Sequence, residues 1–276
     1  TKRVLDMLSK LAKKDKEKYA KFWSQFGVVL KEGPSEDHGN KEKIAKLFLF
    51  CSSSVDDTAP TVTLDDYISR MNENQKKIYY LTGESITSLA NSPYLEAFKK
   101  HNIEVLLMSD RIDEWMMGYL NEFDKKQFQD IAKGELDLSE ITGETEKDGK
   151  DAKKKISKAD EKVISEIKDT LSAKVSEVRS TNRLTHSPAC LVVGEHDMGE
   201  QMRKIMEAAG QTMPESKPTL EVNTKHPLVK KIKASKDTKE TKMLTQLLFD
   251  QALLSAGRSL EDPAAFVKGL NKLMFS

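Results

Sequence analysis

The stretch "IEVLLMSDRIDEWMMGYL", residues 103–120, sets the apolar run "IEVLLM" against a carboxylate-rich segment that carries a tryptophan and two adjacent methionines. A short apolar run bounded by turn residues has the length and character of a strand buried on both faces, and the segment after Asp110 has the character of a helix. Upstream, "KIYYLTG" (77–83) reads as a second strand, and between the two Ser92 as N-cap with Pro93 at the first helical position begins a helix. Strand, helix, strand, helix is the order of a parallel pair joined by a crossover. Ser109 and Asp110 then fall at the carboxyl end of a strand, where open α/β sheets tend to bind ligands.

The carboxylates of this stretch have two readings. Asp110, Asp113 and Glu114 could serve as a general acid and base, which require paired carboxylates whose environments push their pKa values apart. The stronger reading is local: Asp110 caps the helix, Asp113 occupies its third position, and acidic residues in a first turn favour the helix dipole.

Working outward, residues 1–50 read as helices. Val4, Leu5, Leu8 and Leu11 form one stripe, Tyr19, Phe22, Trp23, Phe26 and Val29 continue it, "KEGP" interrupts it, and "KEKIAKLFLF" resumes it. Thr63 and Asp66 in "TLDDY" form a capping box. The chain begins at Thr1 already in helical phase and is expected to be the later part of a longer protein.

On the other side, residues 134–154 are charge-crowded and lack apolar periodicity, so they are expected to link two domains, 1–133 and 155–276. The second begins with an amphipathic helix carrying Val163, Ile164, Ile167 and Leu171. Strands at "VSEVRS", "ACLVV" and "TLEV" follow, with a helix over 195–210 and three helical segments near 226–234, 238–255 and 262–274. The fold class is α+β: helices and a small α/β subdomain, then an α+β domain with a helical end.

Charged residues make up 32% of the 276, but 45 basic against 44 acidic leaves a net charge of +1. Such balance argues against nucleic acid or a membrane as partner and leaves room only for a local basic patch. No apolar run is long enough to span a bilayer. Cys51 and Cys190 match no metal or redox spacing, which fits a reduced, cytoplasmic protein.

Three further motifs suggest chemistry and fall short. Gly194 and Gly199 have phosphate-loop spacing, but Glu200 and Gln201 stand where Lys and Ser or Thr are needed. Cys190 near His186 lacks a third catalytic partner, so a buried strand cysteine is favoured. His38, His101, His196 and His226 are scattered and suggest no metal set.

Two helices carry unusual apolar patterns. Met198, Met202, Ile205 and Met206 form a stripe that either faces a core or, being methionine-rich, adapts to partners of many shapes. From Met243 to Leu254 eight of twelve residues are apolar and surround the helix, so something beyond its own domain is expected to cover it. With Phe266, Leu270, Leu273 and Met274 at the same period in the last helix, a symmetric helix-bundle homodimer through Leu244, Leu247, Leu248, Leu254 and these four residues is the economical reading.

At "KIYYLTGES", "NSPYLEAFKKHNIEVLLMSDRIDEWMMGYL" and "NRLTHSPACLVV" the chain resembles the ninety-kilodalton heat-shock-protein chaperones, especially their bacterial form, over essentially its whole length. The resemblance implies an ATP-driven chaperone whose ATPase domain and catalytic arginine lie outside this chain. Residues 1–133 then correspond to the later middle domain and 155–276 to the dimerisation domain. Its client-contacting positions fall on Glu114, Trp115, Met198, Met202, Ile205 and Met206, although the family pattern has Leu and Phe at the last two. "NKLMFS" lacks the acidic end of cytosolic eukaryotic members, which favours the bacterial form.

The expected protein is therefore a homodimeric, non-enzymatic chaperone piece of the bacterial cytoplasm that binds non-native client proteins, with co-chaperones as further partners. It needs no cofactor itself; ATP and magnesium belong to the full-length parent. The alternative is a dimerisation scaffold that binds no client.

Overall fold

The computed structural model describes residues 1–55, 58–138, 157–195, 197–211 and 216–275, and its class is α+β. The greater part of the expected linker, and His196, lie outside the described residues. Contacts group the chain into two compact units. The first comprises Thr1–Asn91, Asn102–Ile131 and Gln201–Gly210; the second comprises Ser92–His101, Ala132–Glu200 and Gln211–Ser276. Two short segments, 92–101 and 201–210, thus belong to the unit that their position in the chain does not suggest.

In the first unit, α1 (Lys2–Lys14) and α2 (Lys16–Leu30) are separated by Asp15, whose carboxylate accepts from the Lys18 amide at 2.9 Å and caps α2. That break restarts the helical phase. Tyr19, Trp23 and Gly27 face inward at a spacing of four, and a Cβ on Gly27 would lie 2.8 Å from the Trp23 ring. Phe26 and Val29, expected on the buried stripe, are therefore 53% and 60% exposed, and Val4 is 54% exposed. After α3 (Gly33–Glu36), helix α4 (Lys41–Ala45) stops before the apolar run Leu47–Phe50, which is buried but leaves the helix through a turn and ends in a bridge from Phe50 to Val62. α5 (Leu64–Ser69) starts with the Thr63–Asp66 capping box.

The sheet of this unit contains β1 (Cys51–Ser52), β2 (Lys77–Thr82), β3 (Leu106–Met108), β4 (Glu122–Phe123) and β5 (Lys126–Asp130), in the order β1-β3-β2-β5-β4. β2 runs parallel to both β3 and β5, with Tyr80 opposite Leu106, while β1 and β4 pair antiparallel at the edges. β3, an interior strand with β1 on one side and β2 on the other, is buried at every residue. The crossover from β2 begins with α6 (Ile86–Ala90), and β3 leads to α8 (Asp113–Met117).

In the second unit Ser92 caps a turn of 3-10 helix, Pro93–Leu95, that continues as α7 (Glu96–Lys100). The Glu96 carboxylate accepts from the amides of Thr185, His186 and Ser187 at 2.5, 2.7 and 3.0 Å, and the Tyr94 hydroxyl donates to the Leu191 carbonyl. α9 (Lys158–Leu171) is capped by Ser157 and buries Val163, Ile167 and Leu171. β6 (Glu177–Ser180), β7 (Ala189–Val192) and β8 (Thr219–Val222) form a sheet in the order β6-β8-β7, parallel on one side of β8 and antiparallel on the other. α11 (Pro227–Ala234), α12 (Thr238–Ser255) and α13 (Pro263–Met274) complete the unit, and α12 packs against β7, α9, α11 and α13. The remaining helix, α10 (Glu200–Ala208), groups with the first unit from Gln201 onward.

Candidate functional site

The carboxylates after β3 are arranged differently from the simple cap that their spacing suggests. Asp110 does not cap α8. Instead Asp113, fully buried, accepts the Asp110 amide at 2.8 Å through Oδ2 and takes Lys31 Nζ at 2.6 Å through Oδ1. The same ammonium lies 2.6 Å from Asp110 Oδ2 and 5.9 Å from the ring centres of Trp23 and Phe50. Burial pushes the Asp113 carboxyl above its ordinary range, against the pull of Lys31. Both carboxylates anchor α8 to the end of α2. This is a structural role: Lys31 pairs with both, and Asp113 is closed off from water altogether.

With Asp113, Met116 and Met117 turned inward, Glu114 and Trp115 occupy the half-buried outer side of α8. The Trp115 ring lies 4.8 Å from that of Tyr119, and Tyr119 stacks on His38 at 6.4 Å. The sequence reading missed Tyr119, although its place four residues after Trp115 was a usable signal.

Helix α10 lies at the same place. The Glu114 carboxylate accepts from the Met202 amide at 2.9 Å, which satisfies one of the unpaired donors of the first turn of α10. Gln201 donates to the Gly83 carbonyl, and Lys204 Nζ lies 2.6 Å from Glu84 Oε1. Met202 and Met206 are half-buried, and Ile205 is 37% exposed. Met198 is also 37% exposed, but it precedes the helix, which begins at Glu200 and not at Glu195. The stripe on α10 is therefore Met202, Ile205 and Met206, with Met198 outside it.

The weaker motifs resolve into structure. Asp197 occupies the turn that resembled a phosphate loop, accepting from the Gly194 amide at 2.9 Å. Cys190 is buried in β7, and burial pushes its thiol far above the ordinary value, which leaves it a poor nucleophile. Among the described residues no group of three or more His, Cys, Asp or Glu gathers to hold a metal. Nor is any described helix long and apolar enough to cross a membrane.

The residues expected at a dimer face divide in two. Leu244, Leu247 and Leu248 are 0%, 2% and 0% exposed, because α12 is the central helix of its own unit and the chain covers these side chains itself. Leu273 is half-buried and packs against the same core, and Phe266 and Leu270 are half-buried. Leu254 and Met274 remain 48% and 65% exposed, together with Val267 and Phe275, which were not anticipated.

The described residues thus form an α+β chain of two units in which the methionine-bearing amphipathic helix α10 is bonded to the helix that carries Trp115. The sequence profile of the Hsp90 protein family matches residues 1–276. The chain belongs to the Hsp90 family and so to the molecular chaperones.

Proposed function

We propose that the chain is a client-binding and dimerising portion of the bacterial form of the family, high-temperature protein G. In this reading it acts in the bacterial cytoplasm, corresponds to the later middle and carboxy-terminal domains, and does not turn over ATP. ATP and magnesium act on the ATPase domain of the parent protein, and co-chaperones are further partners. The observation that carries the reading is the 2.9 Å bond from the Met202 amide to Glu114, which joins α8, the bearer of Trp115, to α10, the bearer of Met202, Ile205 and Met206, within one unit. A large rigid ring on one helix and adaptable thioethers on the helix bonded to it suit capture of exposed apolar segments of many shapes.

The test is light scattering of a thermally aggregating enzyme with and without the chain. Wild type suppresses aggregation, while Met202→Lys and Trp115→Arg each suppress it less, with melting temperatures close to wild type. A folded double variant that protects as well as wild type overturns the reading.

The alternative, a scaffold that dimerises without holding clients, draws support from the half-burial of Met202 and Met206. Under it, Met202→Lys buries a charge and lowers the melting temperature by many degrees instead of changing protection.

A further inference from the structure

The near-neutral total conceals a concentration of charge in the second unit. Residues 225–242, from the lead-in of α11 to the second turn of α12, hold seven lysines against Asp237 and Glu240, a local charge of +5 with histidine neutral. The other 258 residues therefore sum to −4. On α11 the core side is Leu228, Val229 and Ile232, which leaves Lys230, Lys231 and Lys233 on solvent-facing positions. Lys233 pairs with Asp160 at 2.8 Å. Lys225, Lys230, Lys231, Lys236, Lys239 and Lys242 are exposed and make no ion pair among the described residues.

The two acids of the strip are already engaged. Asp237 caps α12 by accepting from the Lys239 amide at 2.8 Å, and Glu240 accepts from the Ser235 hydroxyl at 2.8 Å. Lys239 and Lys242 also sit in the first turns of α12, where a cation opposes the helix dipole. Like charges at this density repel one another, and among the described residues Asp160 on Lys233 is the one anion from outside the strip that pairs with its lysines.

We infer that residues 225–242 form a docking strip for a carboxylate-rich polypeptide segment of another protein. Three features select this partner among polyanions. All seven basic residues of the strip are lysines and none is arginine, so the planar fork that grips phosphate bidentately is missing. No Phe, Tyr or Trp occurs in the strip, so it offers no platform on which nucleic-acid bases could stack. Its large aliphatic side chains, Leu228, Val229 and Ile232, face the core, so it has no bulky anchor for a lipid interface. What remains is a row of mobile point charges, which suits extended carboxylates and accelerates their encounter.

The experiment is fluorescence anisotropy of a labelled polyglutamate oligomer with the whole chain, run beside labelled single-stranded DNA and phosphatidylserine vesicles. The strip variant carries Lys230→Glu, Lys231→Glu and Lys236→Glu; a charge-matched control carries Lys2→Glu, Lys10→Glu and Lys18→Glu, all exposed in the first unit. Circular dichroism melts establish that both fold. Polyglutamate is expected to bind wild type and control alike, to bind the strip variant at least about tenfold more weakly, and to be released as salt screens the strip. Three results overturn the inference: no polyglutamate binding at low salt, equal loss in variant and control, or tighter binding of DNA or vesicles than of polyglutamate.

Discussion

Lys31 Nζ lies 2.6 Å from Asp113 Oδ1, although 82 residues separate them in the chain. Both are almost fully buried, and the pair ties the end of α2 to the helix that carries Glu114 and Trp115. Removing one partner strands the other charge away from water. Lys31→Met is expected to cost about 3–5 kcal/mol by denaturant unfolding, and Asp113→Leu a similar amount. Combined, they should cost far less than the sum, because no buried charge is then left alone. Strict additivity would show that the two side chains are not coupled.

The Glu96 carboxylate gathers three consecutive amides and the Ser187 hydroxyl. Burial alone would raise its pKa, but these hydrogen bonds outweigh burial and hold it below the ordinary glutamate value. The folded state therefore releases this proton more readily than the unfolded one. The associated stability is present above pH 4.5 and is lost as pH falls through the lowered folded value. Glu96→Gln should lose about 1.5–3 kcal/mol at neutral pH, the scale of hydrogen bonds to a charged group. It should also flatten the acid limb of a melting-temperature profile; an unchanged limb would contradict the assignment.

His226 caps α11 by accepting the Leu228 amide at 3.1 Å, which requires an unprotonated Nδ1. Burial lowers its pKa, and Glu96 partly opposes the shift. With the folded value depressed, the unfolded chain binds the proton more readily, so stability is complete above pH 6.5 and declines as pH falls below it. His226→Asn keeps a capping oxygen but cannot titrate. Melting curves of the two proteins should diverge on the acid side of 6.5, wild type falling further. Parallel profiles would mean that the ring does not cap in its neutral form.

The apolar residues at the chain's helical end separate by burial. Leu247 is 2% exposed and lies within reach of Gly269 on α13, whereas Leu254 and Val267 are 48% and 53% exposed. Leu254→Lys with Val267→Lys should leave a folded chain that sediments as a monomer, if these side chains meet a second copy. Leu247→Glu should instead abolish cooperative melting, since it buries a charge in the unit's own core. A folded double variant that still sediments as a dimer would place the dimer face elsewhere.

Short-range chemistry was legible in the order of residues. The Thr63–Asp66 box, the Ser92–Pro93 start, the parallel pairing of β2 with β3 and the amphipathic α9 depend on neighbours within a few positions or on periodicity, and each is found where those signals point. The inward phase of α2 was not legible, because it depends on the restart at Asp15 and on the close fit of Trp23 over Gly27. Tertiary structure decided what covers each apolar or charged group. It turned Asp110 from a cap into a partner of Lys31, shortened the methionine helix so that Met198 precedes it, and enclosed Leu244, Leu247 and Leu248 within their own unit. Sequence states which side chains must leave water or find a counter-charge. Which surface answers them is set by elements far along the chain, since burial and pairing are properties of the packed arrangement and not of any local run of residues.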